Sequence, residues 1–308
     1  PSSDGRGERR KYHKLIRLES RPDRSDYRVV WELNRLYFVV TLGQAYRLTR
    51  NVKYVETFVR VVRDWIERNP YLRGINWTSS MEAAIRSVNL LWALHLFRDA
   101  GELSRSFLET LLHCLYLHGE YIADRIEHVV QWTTNHTVAN YTGLLYLGTM
   151  FPEWNPAGIW KERGFAGLQR EIMYQVNEEG VHYESSTYYH GFVAEMCLSA
   201  TLLARCNNLE FSEPVAQRIE AMVSFTEKIL RPDGCIPLVG DSDDGRLVRL
   251  EAFLNKPPAD QRWLLSLGAA AFGNEQLAQK SNGTSEGLWY SCSRRREEAD
   301  RFANRTLS

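Results

Sequence analysis

From Trp31 to about residue 273, apolar residues recur at helical spacing, stripe after stripe, and nowhere with the sustained period of two of a half-buried strand. Leu33, Leu36, Tyr37 and Val40 form one stripe. Val55, Phe58, Val59, Val62 and Ile66 form the next, which Asn69-Pro70 ends. Ser79-Ser80-Met81-Glu82 fits a capping box opening a helix through Ala84, Ile85, Val88 and Trp92 to near Gly101. Leu108, Leu111, Leu112, Leu115 and Ile122 follow. In Gln131–Phe151, a polar start (Thr133, Thr134, Asn135, His136) gives way to Val138, Tyr141, Leu145 and Gly148, the pattern of a helix capped by Thr or Asn. Asn155-Pro156 puts proline at the first position of a helix carrying Trp160, Leu168, Ile172 and Val176. Phe192, Met196, Ala200 and Leu203 mark another; Ser212 starts one through Val215, Ile219, Met222 and Ile229; residues 258–273 give one more. Eight or nine helices without alternating strands exclude a doubly wound α/β fold. Successive amphipathic helices suggest antiparallel pairs in a solenoid or closed ring, although no repeat of fixed period is visible.

The chain has 308 residues, 44% hydrophobic and 12% aromatic, which is a folded composition with room for a large core. Basic and acidic residues balance at 38 each, so no basic surplus points to nucleic acid, nor to a surface built for very highly sulfated polyanions. Cys114, Cys197, Cys206, Cys235 and Cys292 are odd in number and lack C-x-x-C spacing, so they read as mostly buried thiols. No run of eighteen apolar residues predicts a membrane span. The start, PSSDGRGERRKYHK, has no apolar signal region, but a chain beginning with Pro is processed, trimmed or a fragment, so its compartment is not legible. Residues 1–26 are a polar lead-in, 27–275 the helical domain, and 276–308 a change of texture in which SEGLWYSCS reads as one strand.

Three segments gather polar, aromatic and ionisable side chains on loops or helix starts. The first is Asn76-Trp77 with Glu82 and Arg86, the last two sharing a helix face four residues apart. The second is Trp132 with Asn135 and His136; the free N–H groups of a first helical turn favour an anion there. The third is His182, Tyr183, Glu184, Tyr188, Tyr189 and His190. The chain has no dinucleotide or P-loop glycine motif, no H-E-x-x-H and no G-x-S-x-G. His182-Tyr183-Glu184 lacks the cysteine partner of zinc deaminases, and Asp241, Asp243 and Asp244 lack the rest of a calcium loop. Gly240-Asp241-Ser242 after eight helices is misplaced for an esterase turn.

WELNR (31–35), NPYLRGINWTSSMEAAIR (69–86), TNHTVANYTGLLYLGTMFPEW (134–154), EEGVHYESSTYYH (178–190) and RPDGCIPLVGDSDDGR (231–246), in this order, resemble the α/α-toroid domain of the heparinase II/III-like polysaccharide lyases, which include alginate lyases. The resemblance covers roughly residues 27–290. It implies an all-α, incomplete (α/α) toroid of antiparallel helix pairs, with at most the start of a C-terminal β-sandwich domain that the full-length protein carries. It also implies cleavage of a uronic-acid polysaccharide by β-elimination in a periplasmic or secreted setting. The family's Asn-His pair falls on Asn135 and His136, and its catalytic tyrosine on Tyr189, with Tyr188 the nearest competitor. Trp77, Glu82, Arg86, Trp132, Glu184, Tyr188 and His190 are the candidate substrate-binding residues around them.

Elimination removes the proton beside the uronate carboxylate and needs donors aimed at the charge that develops. Asn135, His136 and the helix N-terminus suit that role. A tyrosine can act as base, as acid to the leaving oxygen, or both in turn. Because it titrates near about 10, as a base it needs positive charge nearby, from His136, His190 or Arg86. Trp77, Trp132 and Tyr183 can offer flat faces to sugar rings. No metal or organic cofactor is required. Two other readings compete: a glycoside hydrolase using Glu184 with Asp241 or Glu82 as paired carboxylates, and a non-catalytic glycan-binding toroid.

Overall fold

The structure, a computed structural model, describes residues 12–16, 26–128, 132–251 and 256–290. The α helices are α1 (Tyr27–Asn34), α2 (Tyr37–Thr49), α3 (Lys53–Arg68), α4 (Ser80–Leu96), α5 (Arg105–Asp124), α6 (Asn135–Met150), α7 (Ala157–Gln175), α8 (Thr187–Cys206), α9 (Glu213–Ile229), α10 (Arg262–Phe272), α11 (Glu275–Lys280) and α12 (Glu286–Trp289). Among the described residues, strand pairing is limited to isolated bridges such as Val176 with His182, and no helix is long and apolar enough to cross a membrane.

Even-numbered helices α2, α4, α6, α8 and α10 pack side by side as an inner arc, with α3, α5, α7 and α9 outside. The sequence explains the two layers. On α3 the buried residues Val55, Phe58, Val62 and Trp65 form one stripe, as on any surface helix. On α4, α6 and α8 nearly every residue is buried, as a helix enclosed on all sides requires. Glycines let the layers touch. A Cβ on Gly148 of α6 would lie 2.4 Å from the Lys161 nitrogen of α7, and one on Gly164 would lie 2.5 Å from the Leu145 nitrogen. With antiparallel neighbours between them, the inner helices run the same way and bring their N-termini to one end. This is an incomplete (α/α) toroid.

An extended strap after Gly245 crosses the inner arc. Its Leu247, Val248 and Leu250 are buried, so its backbone needs partners inside the protein. The Tyr37 hydroxyl donates to the Arg246 carbonyl. Asn89 donates to Leu247 O at 2.8 Å and Gln44 to Leu250 O at 2.7 Å. The Glu195 carboxylate of α8 accepts from the Leu247 and Val248 nitrogens at 2.8 and 3.2 Å. It also pairs with Arg246, whose second partner is Glu286 at 2.7 Å.

Several expectations change. The stripe from Leu33 to Val40 spans two helices, because Leu36 sits in the left-handed region at φ 61°, and Leu33 is 69% exposed. Pro156 is the N-cap of α7 instead of its first residue. The helix expected over 258–273 is Arg262–Phe272. The strand expected in SEGLWYSCS is a short helix over Glu286–Trp289; residues 291–293 lie outside the described residues, as do Cys292, Gln131 and most of the lead-in.

Candidate active site

The N-termini of α4, α6 and α8 meet at one rim, and each carries candidate residues. On α6 the cap is Thr134, whose hydroxyl accepts from His136 N, while Thr137 closes the box. Asn135 is therefore free of capping. Its side-chain amide donates to both Glu184 oxygens at 3.0 and 3.1 Å, and its backbone N–H to Oε1 at 2.8 Å. The first-turn anion site expected at this helix is occupied by a carboxylate of the chain itself.

His136 follows at the second position, half-buried, with Nδ1 hydrogen-bonded to Glu127 Oε2. Burial alone would lower the imidazole, but the hydrogen bond and charge of Glu127, with weaker help from Glu82 and Glu184, hold it above its ordinary value. Burial would raise Glu127, and His136 together with hydrogen bonds from Ser79 and the Met81 nitrogen bring it below the usual carboxylate range.

On α8 the cap is Ser186, which accepts from Tyr189 N at 3.1 Å. Tyr188 and Tyr189 sit in the first turn, both half-buried, and diverge. Tyr188 lines a recess with Phe192, Asp244, Lys256, Pro257 and Trp263. Tyr189 lies among Asp243, Asp241 and Glu184, with Arg28 as a compensating cation; burial first and then those carboxylates push its phenol above the ordinary value. Asn135 binds Glu184, three residues before α8 begins, so the segment 134–136 meets the one that leads into Tyr189. Trp132 is 57% exposed, and Tyr183 is exposed with its hydroxyl donating to Thr133 O.

Four candidates belong to the interior instead. Trp77 is only 2% exposed, its ring enclosed by Tyr71, His118 and Tyr121, so it has no free face for a sugar. Arg86 is wholly buried, donates to His118 Nε2 and Asn76 O at 2.9 Å each, and stacks on Trp65. Burial lowers it to about 10. Glu82 is buried in a two-bond pair with Arg35 at 2.8 and 2.9 Å, so the i,i+4 partner suggested by spacing is replaced by a long-range one. His190 points its Nε2 to Thr226 and Met222 O, and burial pulls it down to about 4, so it cannot be the cation beside Tyr189. His182 is likewise enclosed, on Gln175.

Sequence reasoning missed Glu127 and Arg28. Neither stands at a motif spacing; Glu127 is tied in by Asn140 and Thr137 one turn along α6, which bind its backbone N–H and carbonyl.

Comparison with known proteins fits this architecture. The Heparinase II/III N-terminus family matches residues 6–257. A heparin-sulfate lyase of Bacteroides thetaiotaomicron is 27% identical over 224 residues, covering 68% of this chain and 31% of that protein. One of Pedobacter heparinus is 26% identical over 248 residues, covering 77% and 37%. The chain thus spans about a third of the length of these relatives. Among solved structures, Heparinase III superposes with a TM-score of 0.68 at 18% identity, over 87% of this chain and 40% of that one. A mutant of heparan sulfate lyase HepC from Pedobacter heparinus gives 0.61 at 24% identity, over 88% and 41%.

Proposed function

Because the chain belongs to the heparinase II/III family, across residues 6–257, we propose that it is the helical part of a polysaccharide lyase that cleaves a heparan-type, uronate-containing glycan by β-elimination. What supports this reading is that Asn135, beside His136 in the first turn of α6, binds Glu184, five residues ahead of Tyr189 in the first turn of α8. In the proposed reaction the uronate carboxylate lies against the first turn of α6. There it competes with Glu184 for the Asn135 donors and meets His136. The charge that builds on the carboxylate as the C5 proton leaves is offset by the imidazole and the helix N-terminus. Tyr189 takes that proton and returns one to the glycosidic oxygen as the C4–O bond breaks.

Electrostatics make one demand on this scheme. A phenol raised by burial and by Asp243, Asp241 and Glu184 holds its proton at neutral pH. It is well suited as the acid, but as the base it needs positive charge beyond Arg28. This chain matches only 31% and 37% of the two relatives, and we propose that residues outside it, in a C-terminal domain, supply that cation. Trp132, exposed beside the rim, suits a sugar ring at the entrance.

The test is a panel of heparan sulfate, alginate and hyaluronan incubated with the chain, alone and within the longest polypeptide its gene encodes. Ultraviolet absorbance of the unsaturated uronate and new reducing ends are both followed. The lyase reading predicts that the two rise together on the heparan-type glycan. New ends without absorbance would make the protein a hydrolase, and binding with neither signal would make it a glycan-binding toroid.

A further inference from the structure

Glu127 is held by more partners than any other side chain at the rim. Its Oε1 accepts from Ser79 Oγ at 2.9 Å, Ser80 N at 2.5 Å and Met81 N at 3.3 Å, all at the N-terminus of α4. Its Oε2 takes His136 Nδ1 on α6. The loop carrying it is pinned as well. Glu127 N donates to Asn140 Oδ1 at 2.7 Å, Thr137 Oγ1 donates to Glu127 O at 2.5 Å, and Ser80 Oγ donates to Arg125 O. One oxygen thus belongs to one inner helix and the other to the next. A carboxylate accepts only, so the hydrogen between them sits on Nδ1. That leaves Nε2 as the ring atom available to a ligand, on a side chain 39% exposed at the rim.

We propose that Glu127 is the positioning residue of the site: it fixes the His136 ring and its tautomer, so that Nε2 meets the carboxylate of the acidic sugar. This rests on the lyase reading above for its chemistry and on the rim geometry for its structure. The pair also favours the imidazolium, because three carboxylates act on His136 from its neighbours: Glu127 between α5 and α6, Glu82 on α4, and Glu184 before α8. With the cation as the working form, activity falls as pH rises through the His136 titration. Removing the Glu127 charge moves that falling limb to lower pH. A residue that only caps α4 would change stability and leave the limb in place.

The experiment is nitrogen NMR of the histidine rings, with His136 assigned by its loss in His136→Gln, together with the ultraviolet product assay across pH. In the wild type the neutral ring carries its hydrogen on Nδ1; a spectrum with it on Nε2 overturns the proposal, and this measurement needs no substitution at Glu127. In Glu127→Gln the His136 midpoint moves down and kcat falls about tenfold in the pH window between the two midpoints, with less change in KM. Ser79→Ala, which removes one donor to Oε1, lowers the melting temperature without lowering the His136 midpoint. If product forms and Glu127→Gln leaves both midpoint and limb where they were, Glu127 is a helix cap and nothing more. If the wild type, in the longest polypeptide its gene encodes, forms no product while Glu127→Gln still lowers the midpoint, the lyase reading fails and the fixing of His136 stands.

Discussion

Acidification from about pH 7 to about pH 5 should destabilise this fold chiefly through three buried neutral histidines. His118 donates Nδ1–H to Cys114 O at 2.7 Å and accepts at Nε2 from Arg86, so a second ring proton would point at a guanidinium. Burial, and for His118 also Arg86, lowers it to about 3; burial lowers His182 to about 3 and His190 to about 4. In the unfolded chain each titrates near about 6.5. Below that value the unfolded state binds protons that the folded state refuses, so stability falls with pH until the folded titrations are reached. Each histidine then costs about 2 kcal/mol by about pH 5, or about 6 kcal/mol together. Glu286 acts in the opposite sense: burial pushes it up to about 8, so it contributes stability as pH falls and offsets about 2 kcal/mol. His136, held up by Glu127, offsets more. Before the His136 offset the net loss is about 4 kcal/mol, which is large against the roughly 5–15 kcal/mol of a typical fold. The assay is urea unfolding followed by tryptophan fluorescence at both pH values, in wild type and in His190→Gln. The variant keeps a donor for Thr226 but cannot titrate, so its acid loss should be smaller by about 2 kcal/mol. An equal acid loss in both proteins would refute the reasoning, as would a folded His190 that titrates in the ordinary range.

Other perturbations separate interior from rim. Trp77→Ala should cost about 3–5 kcal/mol of stability while leaving the KM of the folded fraction unchanged. Trp132→Ala should raise KM severalfold with no change in melting temperature. Glu195→Ala leaves two strap nitrogens unpaired and takes one of the two carboxylates from Arg246, and should lower stability by about 3–5 kcal/mol in thermal unfolding. Gly148→Ala forces α6 from the α7 backbone and should cost about 1–3 kcal/mol by the same measurement.

What the sequence disclosed follows from which signals are local. Helix periodicity and caps are local, so the succession of helices was legible down to Thr134, offered alongside Asn135 as the cap. The two were settled only by Glu184, 49 residues on, which claims the Asn135 amide. Long-range pairing is not local. Glu82 and Arg86 share a face, yet Glu82 finds Arg35 and Arg86 finds His118, because the inner helices are buried on every side and polar residues there must pair across layers. Trp77 and Trp132 look alike in sequence; one lies in a 3-10 turn under the core and the other on an open rim. Glu127 was invisible because its role depends on α4 and α6 meeting at the same end.

The most direct measurement is the steady-state rate of unsaturated-uronate formation from a heparan-type oligosaccharide by wild type and by Tyr189→Phe, in the longest polypeptide the gene encodes. The account predicts ultraviolet product with the wild type. It predicts a kcat lower by about 10²–10⁴ in the variant, with unfolding unchanged, because the phenol is half-buried at the rim and its loss removes only the proton carrier. Wild-type turnover by Tyr189→Phe would contradict it.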